Sequence, residues 1–115
     1  MKEKIEIGDL TQKVCTACEG YENPMGLEEA KRYLEKVKGW DIKDDGRMIS
    51  KSYEFKNFSE ALLFTNKVGE IAERENHHPD IYLHDYKKVR IDLTTHAIKG
   101  LSENDFIEAA KIDEL

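Results

Sequence analysis

Between Leu27 and Val37 apolar residues return at Leu27, Ala30, Leu34 and Val37, with Glu28, Glu29, Lys31, Arg32, Glu35 and Lys36 between them. That spacing is helical and predicts a surface helix with one buried stripe, stopped at Gly39, where a left-handed residue belongs. The pattern then changes period. Trp40-Asp41-Ile42 alternates, Asp44-Asp45-Gly46 signals a turn, and Ile49, Tyr53 and Phe55 fall at alternate positions, so two strands joined as a hairpin are expected. Asn57 and Glu60 form a capping pair before a second helix, whose stripe is Ala61, Phe64, Val68, Ile71 and Ala72 and whose wet face carries Lys67, Glu70 and Arg74. Pro79 requires that helix to stop near Asn76 to His78.

Two further strands follow, Ile81 to Leu83 and Lys88 to Thr95, around an Asp85-Tyr86 turn. Val89, Ile91 and Leu93 share one face; Lys88, Arg90 and Asp92 share the other, and His96 has the polar parity if the strand runs that far. Ser102-Glu103-Asn104-Asp105 has the form of a capping box, with Leu101 and Phe106 as its staple, opening a last helix toward Leu115. The order helix, two strands, helix, two strands, helix predicts an α+β domain: a four-stranded antiparallel sheet with helices packed on one face. Residues 1–25 keep no period and contain Gly8, Gly20 and Pro24; they read as an irregular arm with a short strand at Ile5 to Ile7, ahead of a single domain over 26–115.

Composition narrows the function. With 115 residues, 37% of them charged, and a net charge of -6, the chain has the makings of one soluble core and is ill suited to non-specific nucleic-acid binding. No apolar run reaches the ~18 residues of a membrane span and Met1 to Glu6 lacks a secretory signal, so a cytoplasmic location is expected. Cys15 and Cys18 lack the second ligand pair of a structural zinc site; reduced thiols come first, with a metal shared between chains or a redox pair left open.

The candidate chemistry is a histidine cluster, because imidazole alone among unperturbed side chains both gives and takes a proton near neutral pH. His77 and His78 sit at a helix-to-strand corner, which lets neighbours point into one cavity, and His96 follows the fourth strand. Glu73, one turn before His77, could fix that imidazole's tautomer; Asp105 has its structural explanation as the last residue of the capping box. His84, beside a turn, reads as a surface residue. Three histidines and a carboxylate could also hold zinc or iron, although adjacent histidines chelate poorly compared with His-x-x-x-His on a helix.

The spacing carries more than its members do singly. Glu73, three residues, His77-His78-Pro79, six residues, Tyr86, nine residues, His96, eight residues, Asp105, together with Gly39-Trp40 and Tyr53-x-Phe55-x-Asn57-Phe58 upstream, resembles the pterin-4a-carbinolamine dehydratase family over roughly residues 26 to 115. The resemblance implies the α+β architecture above and dehydration of 4a-hydroxytetrahydrobiopterin, or a related pterin, to the quinonoid dihydropterin, without metal or other cofactor. It implies His77, His78 and His96 as the catalytic set, Asn76, Thr94, Thr95 and Ala97 as the pocket lining, Glu73 and Asp105 in support, and a homodimer or homotetramer. The family's best-known members carry Asp at the position of Asn76. Two alternatives stand beside this expectation: a dimerisation or coactivator-type binding module, and a metal-dependent enzyme using the same histidines.

Overall fold

The computed structural model describes residues 7–17, 20 and 22–115. Its elements are α1 (Leu27–Leu34), β1 (Asp41–Lys43), β2 (Met48–Glu54), α2 (Phe58–Glu75), β3 (Asp80–His84), β4 (Lys88–Leu93) and α3 (Glu103–Asp113), with short 3-10 turns at Leu10–Gln12, Asp44–Gly46 and His96–Ile98. The four strands form one antiparallel sheet in the order β1-β2-β4-β3. This is the α+β fold and element order that the periodicity predicts. The expected strand at Ile5 to Ile7 falls largely outside the described residues, and Ile7 itself has no regular structure.

Register explains which face is covered. Ile49 opposes Leu93, Tyr53 opposes Val89 and Ile81 opposes Ile91, so these side chains line one side of the sheet and meet the stripe of α2, where Ala61, Phe64, Val68, Ile71 and Ala72 are all buried. Phe64 lies 4.6 Å from Tyr53 and 4.9 Å from Phe55, ring to ring, which ties α2 to the end of β2. The opposite face carries Ser52, Tyr82 and Arg90, exposed. A shallow hollow of about 560 Å³ lies there, lined by Asp41, Lys43 and Arg90 among others and by no histidine.

Two local expectations are corrected. The buried residues of the first helical segment are Ala30, Tyr33 and Val37, while Leu27 is half exposed, because the aromatic body of Tyr33 packs on Phe106 and only its hydroxyl reaches Glu103. In α3, Phe106, Ile107 and Ile112 are buried within the chain, while Leu115 beyond its end stays exposed; α2 in turn exposes Phe58, Leu62 and Leu63. The fourth strand stops at Leu93, so His96 does not emerge from the sheet but opens a 3-10 turn.

The N-terminal arm packs against α3. Ile7 and Leu10 join the core, Thr16 exchanges two hydrogen bonds with Asn104, and Met25 N–H donates to the Leu101 carbonyl. Gly100 permits this approach, since a Cβ there would stand 2.6 Å from the Cβ of Pro24.

Candidate active site

The corner bearing the histidine pair is made by Asn76. It takes left-handed dihedrals, φ 51° and ψ 43°, and closes α2 with its own N–H and that of His77 both on the Ala72 carbonyl. Asparagine is among the few non-glycine residues that tolerate this conformation, so the helix stops three residues ahead of Pro79 by a left-handed cap, earlier than the proline alone requires.

Beyond the cap the two imidazoles part company. His77 turns inward, its side chain 11% exposed, and its Nε2 lies 2.6 Å from Oδ1 of Asp105, which is fully buried. His78 stays exposed and its Nε2 lies 2.7 Å from Oε2 of Glu73. Glu73 therefore orients His78, not His77, because its carboxylate lies on the solvent side of the last turn of α2. A carboxylate on Nε2 fixes the proton there in the neutral ring and leaves Nδ1 as the nitrogen that takes up or gives a proton.

Asp105 works with both oxygens. Oδ2 accepts from the Ser102 N–H at 3.0 Å and from the Thr95 hydroxyl at 2.8 Å, and Ser102 Oγ accepts from the Asn104 N–H, completing the expected capping box of α3. Thr95 just beyond β4, the cap of α3 and His77 are thus joined through one buried carboxylate. Burial pulls the His77 pKa down, but the hydrogen bond and charge of Asp105, with the Glu108 carboxyl behind, outweigh it and hold the value above the usual histidine range.

His77, His78, His96, Asn76, Thr94, Thr95 and Ala97 all line one cavity of about 240 Å³. The sequence pattern brings these together. Tyr86 it does not: that residue sits exposed on the β3–β4 turn, at left-handed φ 49°, and is absent from the lining. His84 is likewise exposed and paired with Asp85. Three lining residues escape sequence reasoning, Thr16 and Ala17 from the arm and Asn104 from the first turn of α3. Nothing in the local pattern of the arm announces its docking on Asn104, a contact between residues 88 apart. Among the described residues no group of three or more His, Cys, Asp or Glu is arranged to hold a metal ion. Cys18 lies outside the described residues; the Cys15 thiol, facing the Asn104 carbonyl, is pushed up to about 12 by burial and by the nearby Glu108 and Glu75 carboxylates.

The chain is similar to known proteins over most of its length. Residues 23–115 match the family model described as Pterin 4 alpha carbinolamine dehydratase. A relative from Halorhodospira halophila, provisionally named a pterin-4-alpha-carbinolamine dehydratase, is 50% identical over 107 residues, spanning 92% of this chain and 96% of its own. Another from Methylococcus capsulatus, named in the same provisional way, is 48% identical over 106 residues, 92% of each chain. Among solved structures, a protein described as a transcriptional coactivator/pterin dehydratase from Brucella melitensis superposes with a TM-score of 0.74 at 32% identity, covering 80% of this chain and 97% of its own. On the strength of the family match over residues 23–115 and of relatives aligned nearly end to end, this chain belongs to the pterin-4-alpha-carbinolamine dehydratase family.

Proposed function

We propose that this chain is a hydro-lyase that converts a 4a-hydroxytetrahydropterin, of the 4a-hydroxytetrahydrobiopterin type, to the quinonoid dihydropterin and water. The C4a–O bond breaks as the hydroxyl leaves, the proton on N5 is removed, and a C4a–N5 double bond forms. Two proton transfers are needed, one to the departing oxygen and one from the ring nitrogen, and neither requires an oxidant, a metal or a bound cofactor. His77, His78 and His96 supply the imidazoles. Thr94, Thr95 and Asn76 offer hydroxyl, amide and backbone groups to the polar edge of the pterin, with Ala97 against its flat face. Glu73 and Asp105 hold two of the rings in a single tautomer.

What supports this reading is the convergence of three histidines on a cavity of about 240 Å³, one of them backed by a buried carboxylate. The test is spectroscopic: dehydration of a chemically prepared 4a-hydroxytetrahydropterin, with and without chelator. A catalysed rate unaffected by chelator is expected. A rate equal to the uncatalysed background would sink the proposal, and a rate abolished by chelator would favour the metal-dependent alternative.

A further inference from the structure

Glu108 has no part in the chemistry above, yet it is fully buried and neither Oε1 nor Oε2 has a hydrogen-bond partner among the described residues. Such an orphaned carboxyl is costly, and its place in the fold says what it faces. Asp105, Glu108 and Lys111 recur at intervals of three along α3 and so share one side of that helix. The outer two bind the end of α2: Asp105 meets His77, and Lys111 Nζ donates to Glu75 Oε2 at 2.7 Å. Glu108 stands between these two contacts. The titratable groups around it are Glu75 and His77 from α2 and the residue after its cap, Asp105 and Lys111 from α3, and Cys15 from the arm, whose N–H donates to Glu75 Oε1 at 3.0 Å.

We propose that Glu108 is a positioning residue for His77, a second carboxyl behind the imidazole whose ionisation is linked to that of the ring. The inference rests on the dehydratase reading for its purpose and on the α3 stripe for its geometry. Burial pushes the Glu108 carboxyl up to about 8; His77 draws it back, Asp105 and Glu75 add to the rise, and Lys111 opposes it. At neutral pH the group therefore carries its proton. Two ionised carboxylates behind one imidazole would hold the ring as imidazolium throughout the working range and make it a poor proton donor. One ionised and one protonated leave it poised to give and to recover a proton. As the pH rises, loss of the Glu108 proton favours the charged ring, so the two groups share two macroscopic steps.

The experiment is an NMR titration of the full chain, following the side-chain carboxyl carbon of Glu108 and the imidazole of His77. In the wild type Glu108 is expected to ionise above neutrality, with an inflection that also appears in the His77 curve. In Glu108→Gln and Glu108→Leu the His77 curve becomes that of a single proton and its midpoint falls by roughly 0.5 pH unit or more. The basic limb of the kcat/KM profile moves with it. A Glu108 midpoint near the ordinary carboxylate value in the wild type overturns the proposal without recourse to any variant, as does a His77 curve that both substitutions leave unchanged. The titration needs no substrate. Absence of dehydration therefore counts against the proposed reaction alone, and an active enzyme with uncoupled His77 counts against this inference alone.

Discussion

The Nε2 atom of His77 lies 2.6 Å from Oδ1 of Asp105, while Oδ2 of the same carboxylate caps α3 through Ser102 and ties in Thr95. A single buried side chain thus holds a helix start, a strand end and an imidazole from a third segment. The cap is the part that sequence predicts; the link to His77 spans 28 residues and depends on how α2 and α3 meet.

Asp105→Asn and Asp105→Ala separate the two duties. The asparagine keeps an oxygen for the cap but removes the charge beside His77, so the turnover is expected to fall roughly 10-fold or more with a modest change in Tm. The alanine also strands Thr95, Ser102 and His77 without their acceptor, at a further cost of about 2–4 kcal/mol by urea denaturation. Wild-type turnover in Asp105→Asn would show that the carboxylate serves the helix alone.

Much of the frame was legible in the sequence because it follows from period and capping: the stripe of α2, the Asn57 cap, the hairpin at Asp44-Asp45-Gly46 and the box at Ser102. Proximity of the three histidines was legible only through the motif's spacing. What escaped is what tertiary angles decide. Glu73 is one turn from His77 by count but faces water with His78, Tyr33 displaces Leu27 from the buried stripe by hiding its ring and wetting its hydroxyl, and Glu108 looks like any charged helix residue until α2 is packed over it.

Stability should fall with rising pH through Glu108. Its folded pKa is raised from 4.5 to about 8, so its contribution is complete below the unfolded value and is lost as pH climbs through that window; the raised His77 acts in the same sense from 6.5 upward. Glu108→Leu removes the first effect. Its advantage over wild type in unfolding free energy, measured by urea denaturation, is expected to widen by on the order of 2 kcal/mol between about pH 5 and pH 8. A constant difference across that range would show that Glu108 is an ordinary ionised carboxylate.

Glu73→Gln tests the exposed pair. With side chains 58% and 79% exposed, His78 and Glu73 contribute less than ~1 kcal/mol to the fold, so Tm is expected to hold while turnover drops severalfold through a less oriented His78. Unchanged turnover would assign the pair to the surface.

Assembly is the next expectation. β1 and β3 are edge strands, and α2 exposes Phe58, Leu62 and Leu63, so a symmetric dimer or dimer of dimers is expected in solution. Light scattering at micromolar concentration decides it, a mass of 13.3 kDa being that of the monomer and contrary to the expectation.

The most direct test of the account is the dehydration of a 4a-hydroxytetrahydropterin by wild type, His77→Ala and His96→Ala side by side, each checked for folding by circular dichroism. His96 is exposed, so its loss should leave the unfolding free energy within about 0.5 kcal/mol of wild type. Each substitution is predicted to lower the catalysed rate by roughly 10²-fold or more, the scale of a lost acid or base, in a protein that stays folded. Near wild-type rates in both folded variants would contradict the assignment of the reaction to this histidine cluster.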